Sequence, residues 1–349
     1  MKRSIFAIAA AAILLIACDQ IDTETPDVYS AGDILVLNNG NWGGNDACIT
    51  VYDMQSGNTG AKAFHKANGQ HLGDLGQDIL ADGEDIYIAV NGSQVIFLID
   101  KDLKIKKSII ATADGNTLSP RCLTKGGEKI YVTYYEGYLG EIDPSDDYSV
   151  KTVKVGANPD GVDYAGGMLY TANSGGMNYP DYDNTVSVVD ADTFTVTSTI
   201  QVNTNPAKIL AAPSHGQVYV TSFGNYADIP AKLQSIDIAT GTVTDLEIDS
   251  VSSAALGPDE KLYVLCGGYD QMRNPLPGSV HVYRNGEFQQ FTDATFPDAY
   301  SISVTNDGYV YVGCSDYTNT GDVYAITPSG TIHEKFDSQG LNPIKVIKK

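Results

Sequence analysis

The chain has 349 residues, 42% of them hydrophobic, with 43 Asp and Glu against 22 Lys and Arg and a formal charge of −21 at pH 7. So acidic a surface repels phosphate, and nucleic acid, whose binding needs clustered Lys and Arg, is not an expected partner. The five cysteines show no CxxC and no regular spacing, so they signal neither a zinc site nor a disulfide framework; Cys48, Cys122, Cys266 and Cys314 read as buried free thiols.

The first residues, MKRSIFAIAAAAILLIAC, join Lys2 and Arg3 to an apolar run from Ile5 to Ala17 that stops at Cys18. That run is shorter than the roughly 20 residues needed to cross a hydrocarbon core, and a small residue before the cysteine suits processing there. Residues 1–17 therefore read as a lipoprotein signal peptide and Cys18 as the lipid attachment site. The membrane is then a partner reached through acyl chains and not through a span. Residues 18–30, with Asp19, Asp22, Glu24 and Asp27 behind the cysteine, read as a flexible acidic tether. Residues 31–349 remain for the folded domain.

One strand recurs along that domain: DILVLNNG from Asp33, DIYIAVNG from Asp85, KIYVTYYEG from Lys129, MLYTANSGG from Met168, QVYVTSFGN from Gln217, KLYVLCGGY from Lys261 and YVYVGCSDY from Tyr309. Each alternates β-branched and aromatic side chains and runs into Gly, Asn or Ser. A second strand follows each copy, in most cases ending on Asp, then a turn such as MQSG or IATG, a more polar strand such as VTSTIQV, and a fourth strand such as PDGVDYAGG that precedes the next copy. Four strands in roughly 41–51 residues is the signature of a propeller blade. The expected fold is all-β, a seven-bladed β-propeller, with blade boundaries near residues 31, 76, 117, 158, 205, 250 and 299.

Closure is expected from the same pattern. GANPDGVDY from Gly156 and NTNPAKILA from Asn203 each open a blade, and GLNPIKVIKK from Gly340 repeats that opening with no blade after it. Blade one lacks such a strand, so the C-terminal strand should complete it and leave no edge at the seam. In each Asn-Pro pair, the residue before proline is expected to be pushed to an extended conformation.

With the strands of a blade labelled A to D from the axis outward, the B to C and D to A connections emerge on one face. The B to C insertions are NNGNWGGND from Asn38, NGS from Asn91, YYEGY from Tyr134, NSGGMNYPDYDN from Asn173, SFGNYADIP from Ser222, CGGYDQMRNPLP from Cys266 and CSDYTNT from Cys314. They would bring Trp42, the only Trp, with Tyr135, Tyr138, Tyr179, Tyr182, Phe223, Tyr226, Tyr269 and Tyr317 to one rim, and Asn91, Asn173, Met177 and Arg273 beside them. Rigid aromatic side chains give contact area at small entropic cost, and amides orient polar groups, so this rim is the expected ligand-binding surface. The D to A connections add Arg121, Asp160, Lys208 and Tyr300, pointing toward the axis, and place His71 before blade two. By contrast Tyr87, Tyr131, Tyr170, Tyr219, Tyr263 and Tyr311 sit inside the recurring strand and read as structural.

Catalysis has little support. His65, His71, His215, His281 and His333 show no metal spacing, no GxSxG occurs, and no His, Asp and Ser or Cys set falls in matching loops. DYDN, Asp181 to Asn184, offers carboxylate oxygens to calcium but lacks a full ligand loop, so no metal is expected. No catalytic residue and no catalytic cofactor is assigned.

The runs NPDGVDYAGGMLYTANSGGMNYPDYDNTVSVVD and GQVYVTSFGNYADIPAKLQSID, with VLNNGNWGGNDACITVYD near the start, resemble the YncE-like seven-bladed propeller lipoproteins of Bacteroidetes. Where members commonly carry an N-E-G-N turn, this chain has Asn39 in place of the acid. The resemblance spans nearly all of residues 31–349, and its motifs are specific for the family more than for a ligand. Within that family are the cobalamin-binding surface lipoproteins called BtuG, which cap a TonB-dependent outer-membrane transporter. The resemblance implies capture of cobalamin or a related corrinoid as a bound ligand, a TonB-dependent transporter as partner, and a lipid-anchored place on the outer membrane, at the cell surface. The other reading it allows is a glycan- or peptide-binding accessory of another nutrient-uptake system.

Overall fold

The computed structural model describes residues 32–269 and 275–349. Among these, seven four-stranded antiparallel sheets follow one another along the chain. The innermost strands are Gly76–Asp82, Pro120–Gly126, Pro159–Ala165, Pro206–Ala212, Val251–Leu256, Ala299–Val304 and Pro343–Lys348. Each packs on the next and the last packs on the first, so the sheets close into a ring. This is the seven-bladed β-propeller expected from the repeats, with the strands beginning close to the expected boundaries.

The seam is closed by the C-terminal strand. Pro343–Lys348 pairs antiparallel with Ile34–Asn38, Ile34 facing Lys348 and Val36 facing Val346, and so becomes the inner strand of blade one. It is fastened to blade seven as well: Ser301 Oγ donates to the Pro343 carbonyl at 2.6 Å, and the Val346 N–H donates to Ser303 Oγ at 3.0 Å. Lys348 bridges Asp33 and Asp307 at 3.1 and 2.9 Å. Closure pairs both sides of the strand that would otherwise be an edge.

Every sheet is covered by a neighbour on both faces, which is why the second strand of each blade is apolar at successive positions and not only at alternate ones. The buried side chains fall into seven clusters, one at each interface between adjacent blades. Alternation divides each strand between two of them: Ile86 and Ile88 face blade one while Tyr87 and Ala89 face blade three. Tyr87, Tyr131, Tyr170, Tyr219, Tyr263 and Tyr311 are all buried, and burial raises their phenol pKa values, that of Tyr131 to about 12. They are wedges between blades, as their strand positions implied.

Three local features differ from expectation. Blade one has an outer strand of only two residues, Thr59–Gly60, followed by the short helix α1, Ala63–Asn68, whose Ala63 and Phe64 fill the interface between blades one and two. A small hairpin, Thr112–Ala113 with Asn116–Thr117, stands between blades two and three. In blade six the expected insertion is largely strand: Leu262–Tyr269 pairs with Pro275–Arg284 beyond a bulge, Gly268 opposite Leu276.

Candidate functional site

All seven blades share a backbone device at the mouth of the ring. Just after its first residue, each inner strand slips register against its neighbour, so Gly76 to Asp78, Pro120 to Leu123, Pro159 to Val162, Pro206 to Lys208, Val251 to Ser253, Ala299 to Ser301 and Pro343 to Lys345 are successive paired positions. The unpaired residues between them include Arg121, Cys122, Asp160 and Tyr300. A bulge releases a residue from the ladder and re-aims its side chain.

The residue before the inner strand is left-handed in six blades: Leu75, Asn158, Asn205, Ser250, Asp298 and Asn342 have φ of 56, 43, 59, 57, 48 and 59°. This corrects the expectation that proline pushes the preceding Asn to an extended conformation. Asn tolerates positive φ better than other side chains, and its amide repays the strain by bracing neighbouring insertions. Asn158 Nδ2 donates to the Tyr135 carbonyl at 2.9 Å while its Oδ1 accepts the Met177 N–H at 3.1 Å, so it ties blades three and four together. Asn342 Nδ2 donates to the Gly40 carbonyl and Asn41 Oδ1 at 2.9 and 3.1 Å, and its Oδ1 accepts Ser315 Oγ at 2.6 Å, which ties blade seven to blade one.

Charged groups gather at the axis. Arg121 grips Asp160 through Nη2 at 3.0 Å to both carboxylate oxygens and through Nε at 3.2 Å, with the guanidinium 4.8 Å from the centre of the Tyr135 ring. One tier deeper, Lys345 pairs with Asp78 at 2.5 Å, and the other oxygen of Asp78 accepts the Leu123 N–H at 2.8 Å and the Cys122 thiol at 3.3 Å. Burial pushes the Cys122 thiol up to about 12, so it is held as a neutral donor. Asp163 accepts Thr124 Oγ1 and the Ala211 N–H, both at 2.8 Å, and burial raises its pKa. Asp78→Ala would strand Lys345 and the Leu123 N–H; because Lys345 is one-third exposed, a urea melt should show a loss of about 2–3 kcal/mol, below the ~3–5 typical of fully buried pairs.

Around this axis stands the aromatic rim. Trp42 is 85% exposed, Tyr179 74%, Tyr226 70% and Tyr317 53%. Exposed large apolar side chains among the described residues fall in the insertions of this face, Ile110 and Val196 excepted. The loop under Trp42 is nevertheless rigid: the Asn41 N–H donates to Asp46 at 2.9 Å, the Gly43 N–H donates to both oxygens of Asp74 at 3.0 Å, and Asn41 Nδ2 reaches the Tyr317 carbonyl at 3.4 Å. Gly40 is required there, since at φ +76° a Cβ would lie 2.4 Å from Asp46 Oδ1 and 2.7 Å from the Ala47 nitrogen. On the other side, Tyr179, Tyr182, Tyr226 and Phe223 form a continuous run of ring contacts 6.1–6.4 Å apart, and Tyr300 meets Tyr317 edge-on at 5.7 Å. Tyr226 and Tyr317 hold positive φ of 57 and 64°, a conformation costing a bulky residue about 1–3 kcal/mol. Strained backbone, tied loops and exposed rings together describe a surface organised before any ligand arrives.

The structure sorts the residues expected at the site. Trp42, Arg121, Tyr135, Asp160, Met177, Tyr179, Tyr182, Lys208, Phe223, Tyr226, Tyr300 and Tyr317 lie at the mouth or in the axial tiers beneath it. Asn173 does not: it is fully buried, accepts the Gly156 N–H at 3.0 Å and donates to Thr185 and Ser187 at 2.9 Å, so it is a structural brace. Asn91 likewise spends its amide on the Pro120 carbonyl at 3.2 Å. Tyr138 begins an outer strand, and its hydroxyl donates to Asp114 at 2.5 Å, away from the axis. The expectation that Asn side chains face the ligand is therefore corrected, because their amides hold the insertions in place. In DYDN, Asp183 is spent on the Asn184 N–H and Thr185 Oγ1, both at 2.7 Å. Cys18, Arg273 and the side chain of Tyr269 lie outside the described residues.

Sequence reasoning missed Asp78, Cys122 and Lys345. Aligning the third residue of each inner strand in GQD, PRC, PDG, PAK, VSS, AYS and PIK would have exposed that tier. It also missed that His65 and His71 stack, ring centres 4.7 Å apart, beside a small cavity of about 120 Å³ lined by Asp46, Cys48 and Lys62. A larger groove of about 560 Å³ lies between blades four and five, away from the axis, lined by Thr197, Thr199, Gln201 and Asp237 among others. Asp237 is spent on Thr240 there, so the groove has no convergent free charge, and the mouth is the better site.

The chain matches no protein-family model and no curated protein. Solved structures resemble it in fold. A quinonprotein alcohol dehydrogenase-like protein from Bacteroides thetaiotaomicron matches with TM-score 0.65 and 13% identity, over 92% of this chain and 78% of that one. The WD40 β-propeller domain of Doa1 matches with TM-score 0.59 and 14% identity, over 82% and 88%. Hydrazine synthase from Kuenenia stuttgartiensis matches with TM-score 0.57 and 18% identity, over 70% and 74%. At these identities the likeness is one of architecture, a β-propeller, and the fold by itself assigns no function.

Proposed function

We propose that the chain is a non-catalytic surface lipoprotein that captures cobalamin or a related corrinoid at its mouth and passes it to a TonB-dependent outer-membrane transporter. The observation that carries the reading is the pre-organised aromatic rim: Trp42 85% exposed on a loop held by Asp46 and Asp74, with Tyr179, Tyr226 and Tyr317 exposed on insertions of the same face. Exposed aromatic faces on braced loops suit the broad, partly apolar face of a macrocycle, and the axial Arg121, Asp160 and Tyr300 supply polar partners for its periphery. Calorimetry of residues 31–349 with cyanocobalamin tests the reading. Saturable heat with co-elution of the visible chromophore is expected; neither signal would remove the corrinoid and leave the glycan- or peptide-binding accessory.

Membrane attachment is part of the same proposal and is tested separately. Cys18→Ala should move the protein from the membrane fraction to the soluble fraction of cells, because one residue carries the acyl chains. Retention in the membrane fraction would show that something other than lipid holds it.

A further inference from the structure

Among the described residues, the axial charges are balanced by partners with one exception. Arg121 is held by Asp160, Lys345 by Asp78, and Asp163 by a backbone N–H and a hydroxyl. Lys208 occupies the same tier as Asp78, Cys122 and Lys345, being the third residue of its inner strand. Its backbone N–H bonds Thr221 Oγ1 at 3.3 Å, yet its ammonium lies within hydrogen-bond or ion-pair distance of no described side chain. Blade four contributes no side chain to this tier because it has Gly161 there, where a Cβ would sit 2.5 Å from the Ala207 carbonyl and 2.9 Å from Lys208 Cα. The residue is thus partly buried in the ring, and its ammonium lacks the carboxylate that Arg121 and Lys345 have.

An unpaired ammonium withdrawn from water is costly, and a structural role would be served better by an apolar side chain of the same volume. We propose that Lys208 is the seat for an anionic group, a carboxylate or a phosphate ester, carried by the mouth ligand and reaching the inner-strand residues between the Arg121–Asp160 pair and the Lys345–Asp78 pair. The inference rests on the mouth being the ligand site but not on the ligand being a corrinoid. Aromatic rings then hold the ligand's flat body while Lys208 selects, by charge, which end enters the ring.

Electrostatics agree with the geometry. Burial holds the Lys208 amine below its ordinary value, and Lys345 lowers it further, while Cys122, Asp78 and Asp160 act in the opposite sense. A group whose folded pKa is depressed binds fewer protons folded than unfolded, so stability rises with pH through the window between the two values. Bound anion would raise the amine's pKa and offset that cost.

The test uses inorganic phosphate and acetate as probes, at constant ionic strength set by NaCl, on the full chain and its Lys208→Met variant. Lysines are reductively methylated with 13C, a change that keeps their charge, and followed by NMR. One dimethyl-lysine resonance, absent from Lys208→Met, should titrate below the ordinary lysine range and move upward in pKa saturably with phosphate, with acetate, or with both; which of the two acts identifies the anion class. Lys208→Met should melt at a higher temperature at pH 7, with the gain shrinking as pH rises, and should lose the anion-dependent stabilisation seen in the parent. A Lys208 resonance that ignores both anions, or shifts only as all lysines do, overturns the seat, and so does a Lys208→Met variant that melts lower. Absence of cyanocobalamin binding alongside a responding Lys208 overturns the corrinoid reading alone.

Discussion

Deletion of Asn342–Lys349 should lower Tm by about 5–10 °C, since a loss on the order of 5 kcal/mol is comparable to the whole net stability of a domain and, at ~2.1 cal/mol/K per residue, each kcal/mol moves Tm by roughly 1.5 °C for a chain of this length. The segment's contribution is threefold. Its strand pairs fully with Ile34–Asn38, and its loss would leave both that strand and blade seven with an exposed face. Val346 is buried with Ile34 and Tyr311, while Ile344 and Ile347 pack on the cluster between blades one and two. Asn342 braces Gly40 and Asn41, Lys345 neutralises Asp78, and Lys348 spans Asp33 and Asp307. Scanning calorimetry of the truncated and full-length chains is the measurement. An unchanged melting temperature would mean that the ring does not depend on this seam. Asn342→Ala, which spares the strand but releases the Trp42 loop, should cost far less stability and act mainly on the rim.

If the mouth takes a corrinoid as proposed, replacing Trp42, Tyr179 and Tyr226 together by Ala should weaken cyanocobalamin binding at least about 100-fold, at ~1–3 kcal/mol for each anchor, with little change in Tm. The asymmetry follows from burial. These side chains are 70–85% exposed, so truncation removes little packing, whereas the interior tyrosines such as Tyr87 and Tyr311 are wedges whose loss would open cavities. The left-handed backbone at Tyr226 is no better for Ala than for Tyr, so that substitution does not relieve strain and confound the result. Calorimetric titration beside a melting curve for the same preparation separates the two effects. Binding at full strength by the triple variant would place the ligand elsewhere on the ring, and a collapsed melting curve would show the rim to be structural.

Much of the architecture is legible in the sequence alone. The recurring strand, with apolar side chains at successive positions and a Tyr at its third in six of the seven copies, reports a sheet covered on both faces, and its seven copies count the blades. NPIKVIK at the end reports closure because an orphan copy of the inner strand must find the blade that lacks one. The insertions could be assigned to one face from antiparallel connectivity alone. Their rings do meet there: Tyr182 of blade four meets Tyr226 of blade five, and Tyr300 meets Tyr317 within blade seven.

The roles of the asparagines were not legible. A side chain that caps, braces or contacts a ligand uses the same amide, and only the partner distinguishes them; Asn173 turned out to be buried among Thr185 and Ser187, and Asn158 to be left-handed before its proline. The short helix after blade one was hidden because its six residues are fewer than a periodic pattern needs.

Local patterning thus determined the number of blades, the closing strand and the buried tyrosines, since alternation and turn chemistry act over a few residues and every copy obeys the same constraint of burial on both faces. Which axial charges meet was decided only in three dimensions. Lys345 and Asp78 are 267 residues apart, and their pairing, like the isolation of Lys208, depends on a register slip repeated in each inner strand and on how seven such strands converge on one axis. Coulomb and hydrogen-bond energies are set by distances across that axis, which no single stretch of the chain contains.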